Sequence, residues 1–117
     1  MAEGKREKTK EQKIRAEKRR LLKLFEGLDK NKLSTCMTLI DRAAFLTVTL
    51  TELEDQLNND GWTEEYKNGQ NQSGVKKSAA AEVHISLTKN LNAIMKQLID
   101  LVPPAQRSGR LDALKRK

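Results

Sequence analysis

Apolar residues recur at intervals of three, four and seven along most of this 117-residue chain, and that spacing admits helices and little else. In the first segment, Glu7 to Leu28, the residues Ile14, Leu21, Phe25 and Leu28 form one stripe. A Glu11–Arg15 pair at i,i+4 supports the same helix, and Gly27 with Asp29 marks its end. Nothing apolar precedes Ile14 except Met1 and Ala2, so only the second half of this helix can be packed and the first half is expected to project or fray. The second segment, about Leu33 to Asn58, carries Leu33, Met37, Ile40 and Ala44 on one face and Leu46, Leu50, Leu53 and Leu57 on another. Around Ala43–Val48 it is apolar nearly all round, which predicts enclosure by more than one neighbour. Asn59-Asp60-Gly61 supplies its stop.

A third helix is expected from Ser78, as N-cap, to Val102, ended by Pro103-Pro104. Its Leu87, Leu91, Ile94, Leu98 and Leu101 alternate by four and three, a coiled-coil-like seam. Between the second and third helices, Asn59 to Lys77 contains Gly61, Gly69 and Gly74 and is expected to be a polar loop, too polar for a strand. Leucine outnumbers valine plus isoleucine 16 to 9 and aromatics are only 3%, which favours helix over sheet. The expected fold is all-α: a basic N-terminal helix plus two long packed helices joined by a polar loop. Three stripes on so short a chain leave apolar surface that one protomer does not cover, so a homo-oligomer held by Leu87, Leu91, Ile94, Leu98 and Leu101 is expected.

The charge is uneven. Residues 1–20 hold Lys5, Arg6, Lys8, Lys10, Lys13, Arg15, Lys18, Arg19 and Arg20 against four acids. Residues 105–117 hold Arg107, Arg110, Lys115, Arg116 and Lys117 against Asp112, whereas the middle is slightly acidic within a total of +7. The organisation read from this is a basic arm (1–20), a helical oligomerisation core (21–104, with the loop at 59–77) and a basic tail (105–117). Two basic ends on an acidic body suggest a polyanionic partner, most often nucleic acid. The arm and Lys23 are the first candidates for phosphate contact. Lys76 and Lys77, beside the start of the third helix, are the second, since helix N-termini favour anions. In the tail, Leu111 and Leu114 lie among Arg107 and Arg110, a short amphipathic segment suited to docking on a partner groove.

Catalytic and cofactor readings find little footing. Gly69 to Ser78 approaches a phosphate-binding loop, but Val75-Lys76 intervenes where Lys-Ser should follow the second glycine. One cysteine, Cys36, and one histidine, His84, supply neither a disulfide nor a zinc site; Cys36 reads as inert core and His84 as a polar residue on the seam. Asn71-Gln72-Ser73 is a glycosylation sequon by spelling only. Trp62 and Tyr66 read as anchors of the loop to the body. Glu52, Glu54, Asp55, Asp60, Glu64 and Glu65 alternate with the second helix's stripe and the loop, a solvated face rather than an acid–base pair. No enzyme, metal or cofactor is expected. No membrane association or export is expected either, because no uncharged run nears ~20 residues and the first twenty are too polar for a signal.

Four stretches resemble the small terminase subunits of tailed bacteriophages: Ile14 to Leu21, Ala43 to Leu53, Gly61 to Gln72 with Lys76-Lys77-Ser78, and Ile94 to Pro103. Together they cover about residues 12–104, and the polar loop is the most specific piece. The resemblance implies a non-catalytic protein that forms helical rings and recognises double-stranded viral DNA at the packaging start. It then delivers that DNA to a large subunit carrying the ATPase and nuclease, in the cytoplasm of the infected host, and the tail's Arg107, Arg110, Leu111 and Leu114 would dock on that large subunit. No recognition-helix pattern with a glycine-containing turn is found, so a helix-turn-helix is not among the expectations. A helical RNA-binding protein and an assembly adaptor are the other two classes that the same charge pattern permits.

Overall fold

In a computed structural model, which describes residues 8–67, 69 and 73–103, the chain forms three helices and one β-hairpin. Helix α1 spans Lys10–Leu24, α2 spans Lys30–Asp60 and α3 spans Ala79–Asp100. Each begins on a side chain suited to satisfy free backbone N–H groups. The Thr9 hydroxyl accepts from the Gln12 amide while the Gln12 side chain accepts from the Thr9 amide, a reciprocal capping box. Asp29 accepts from the Lys32 amide at 2.9 Å, and Ser78 accepts from the Ala81 amide at 3.1 Å, as expected of that serine. Gly61, at φ +97°, ends α2 in a conformation that a side chain would strain.

α2 is the shared helix. Its Cys36, Ile40, Ala43 and Ala44 are buried together with Leu21 and Phe25 on the α1 side and with Leu98 and Val102 from the end of α3. By length and composition α2 could cross a membrane, yet exposed Asp41 and Arg42 lie mid-helix, and its flanking faces carry α1 and α3. Enclosure by two neighbours is what the all-round apolar stretch at Ala43–Val48 predicts.

Two expectations need correction. The stretch expected to be a loop holds an antiparallel hairpin, β1 (Thr63–Lys67) with β2 (Ser73–Lys77), in the register Thr63↔Lys77 to Lys67↔Ser73. Its strands are polar because almost all of their residues face solvent, and an alternating apolar pattern arises only where one face is buried. The projecting first half of the N-terminal helix is also revised for residues 10 onward. α1 lies antiparallel along α2, with Lys18 Nζ 2.7 Å from Asp41 and Lys10 Nζ 3.2 Å from Glu52. Ion pairs, invisible to a count of apolar residues, take the place of the missing stripe.

The seam on α3 is engaged largely inside the chain: Leu98 is fully buried, and Leu91, Ile94 and Leu101 pack on the core. Two rows nonetheless stay half-covered, Leu39, Leu46 and Leu53 on α2 and Leu87, Ile94 and Leu101 on α3, each at intervals of seven. Helical phase sets both rows on the flank of the α2/α3 pair opposite the contact between Glu54 and His84.

Leu98→Ala should therefore lower unfolding free energy by about 2–5 kcal/mol, read as a fall in the urea midpoint. Val83→Ala, at a side chain 49% exposed on the same helix, should shift it by no more than about 0.5 kcal/mol.

Candidate nucleic-acid interface

The burial of one face of α1 dictates what the other face offers. Leu21 and Phe25 are buried and Ile14 is half-buried against α2. Arg15, Arg19 and Lys23 follow one another at intervals of four, so they share the opposite side at about 6 Å of axial rise each. All three are exposed, and none pairs with a carboxylate among the described residues. They make a straight row of cations on a rigid support.

The remaining candidate cations of the arm fare differently. Lys10 and Lys18 are turned to α2 acids, and Lys10 also sits 4.8 Å from the centre of the Phe45 ring. Arg20 donates to both carboxylate oxygens of Glu17, at 3.0 and 2.6 Å, and those hydrogen bonds hold its pKa above the ordinary guanidinium value. Lys8 and Lys13 are exposed along a cleft between α1 and α2. Lys5 and Arg6, and the tail's Arg107, Arg110, Leu111 and Leu114, lie outside the described residues.

The second basic group stands on the hairpin. Lys76 lies opposite Glu64, with Nζ 3.5 Å from its carboxylate, while Lys77 and Lys67 are exposed. Lys67 was not among the sequence candidates, because only strand pairing brings it to the same surface as Lys77. On the other face of the hairpin Tyr66 lies against Gly74, so closely that a Cβ there would stand 2.9 Å from the tyrosine oxygen. The hairpin cations and the α1 row belong to different elements: α1 reaches along α2 as far as Glu52, and the hairpin caps the far end of α2.

Side chains at that end form a small polar joint. His84 Nε2 lies 2.9 Å from Glu54 Oε2, the Trp62 ring meets the His84 ring edge-on at 5.2 Å, and Trp62 Nε1 donates to Asn58 Oδ1. The Ser78 amide closes the base of the hairpin on the Trp62 carbonyl. Trp62 thus anchors the hairpin, as its loop position suggested, whereas Tyr66 packs on the hairpin itself. His84 serves as a bridge between α2 and α3. Cys36 is fully buried, and desolvation pushes its thiol up from the ordinary value.

No family model matches this sequence, and neither the curated proteins nor the solved structures compared with it contain a match.

The buried thiol gives a pH test with a definite sign. Because the folded pKa is raised, the unfolded chain ionises first, and stability falls as pH rises past about 9. In urea titrations across that range, Cys36→Ala should show a shallower loss of stability with pH than the wild type. Alkylation of Cys36 at neutral pH should be slow and accelerate with added denaturant.

Proposed function

We propose that this chain is the non-catalytic small subunit of a phage terminase, which binds double-stranded viral DNA and hands it to the large ATPase and nuclease subunit. The observation that carries the reading is the row Arg15, Arg19 and Lys23, three cations on one side of a packed helix with no carboxylate partner among the described residues. Phosphates supply most of the affinity in such contacts, and a folded helix sets the spacing of the cations along the duplex backbone. The resemblance over residues 12–104 supplies the identity of the DNA and of the partner. Lys67 and Lys77, on one face of the hairpin, supply a second phosphate-binding point, with Lys76 on the other face beside Glu64, and the basic tail supplies the link to the large subunit.

The same reading includes self-association. The rows Leu39, Leu46, Leu53 and Leu87, Ile94, Leu101 support it, since six half-covered leucine-type residues on one flank of a helix pair are the pattern by which helices pack in register. The interface so proposed differs from the seam read from sequence by gaining a row on α2 and losing Leu91 and Leu98, which pack in the protomer's own core.

Titration of labelled duplex DNA against structured RNA at several salt concentrations tests the function. Arg15→Glu, Arg19→Glu and Lys23→Glu combined should lower the slope of log affinity against log salt by about 2.7, at ~0.9 for each phosphate contact. An unchanged slope refutes the interface, and tighter binding of RNA than of duplex refutes the DNA assignment. For self-association, Leu46→Asp with Leu87→Asp should reduce the mass in native mass spectrometry to that of a protomer, with helical circular dichroism retained. A wild-type mass in that variant removes the flank from the interface.

A further inference from the structure

The two halves of α1 are held by different forces. The second half is anchored in the core by Leu21 and Phe25, both fully buried. Among the described residues, the first half meets α2 through half-buried Ile14 and Ala16 and three electrostatic contacts: Lys18 with Asp41, Lys10 with Glu52, and Lys10 over Phe45. Beneath it opens a cleft of about 320 Å³, lined in part by Ala16, Val48 and Thr51. The side chains of the two ion pairs are between a third and just over a half exposed, so they are screened by salt and individually weak. Little else holds these turns in place. The Thr9–Gln12 capping box satisfies the first amides locally, so no backbone hydrogen bond ties this end to α2 among the described residues.

We infer that Asp41 and Glu52 form an electrostatic latch that masks two cations of α1, and that DNA phosphates release it by displacing the two carboxylates from Lys18 and Lys10. The inference rests on the DNA-binding reading proposed above and gives that site its regulation. In the latched state α1 presents Arg15, Arg19 and Lys23. In the released state its first half comes away from α2 about the Leu21–Phe25 anchor, its amide hydrogen bonds open more often than in the packed helix, and Lys10 and Lys18 join the contact. The acids of α2 thereby compete with weak or sparse anions, and a continuous run of phosphates outcompetes them.

Two measurements on the full chain separate the latch from the function it regulates. Without DNA, amide hydrogen exchange of Glu11–Lys18 should speed up as salt is raised from about 0.01 to 1 M, which shortens the Debye length from about 30 to 3 Å, while Leu21–Leu24 stay protected. Salt-independent protection of the first half overturns the latch. In duplex titrations, Asp41→Asn with Glu52→Gln is compared with Asp60→Asn with Glu65→Gln, which removes equal charge from acids that hold no α1 cation among the described residues. The first variant should bind about tenfold tighter, with a salt slope steeper by up to about 1.8, and the second should leave the slope unchanged. Equal behaviour of the two variants overturns the latch and leaves the DNA reading standing. A wild-type chain that fails to bind duplex overturns the DNA reading, and the exchange result then decides the latch alone.

Discussion

Everything in this fold depends on how closely two helices approach α2 at Cys36, Ile40, Ala43 and Ala44. Three of these four side chains are small, which lets α1 bring Phe25 and Leu21 in from one side while α3 brings Leu98 and Val102 from another. A small core made this way is dense because the helix backbones come near one another, not because large side chains fill the gap. At the other end of the α2/α3 pair, buried Leu50, Leu57 and Ala81 are accompanied by polar joints: Glu54 with His84, Trp62 with Asn58, and the Ser78 cap. The molecule thus divides into a dense apolar meeting of three helices and an end where apolar and polar contacts are mixed.

That division explains which parts could be read from residues alone. Helices α2 and α3 were visible because their apolar spacing runs unbroken and their caps, Ser78 and Gly61, have specific chemistry. The hairpin was not visible, since strands exposed on both faces carry no alternation; its cues are cross-strand, Glu64 with Lys76 and Tyr66 over Gly74, and become cues only once the register is known. The position of α1 failed for a related reason. A sequence shows that Lys10 and Lys18 are charged, but their partners Glu52 and Asp41 are 42 and 23 residues away, beyond the reach of any local pattern.

The candidate interface divides along the same line. Arg15, Arg19 and Lys23 could be listed from composition, but their selection out of a dozen basic residues needed the buried stripe to define which side of α1 is outward. Once that side is known, the arm is no longer a uniform basic segment: Arg15, Arg19 and Lys23 stand outward, Lys8 and Lys13 line the cleft, Lys10, Lys18 and Arg20 are matched to carboxylates, and the difference between these groups is set by α2 and by Glu17. A helix with some of its charge held by its own neighbour discriminates between anions by how many phosphates they present at once.

The meeting of Leu98 and Val102 with Leu21 and Phe25 also has a consequence for how the chain is made. Contacts of α1 with α2 and of α2 with α3 join sequence neighbours and close quickly, while this one joins residues nearly eighty positions apart and carries the largest loop-closure entropy in the fold. During synthesis the first two helices emerge and pair long before the last turn of α3 exists. For that interval Cys36 and Ile40 have one wall instead of two. The final turn, immediately before the two prolines, is thus the piece that turns a helical hairpin with an open side into a closed domain.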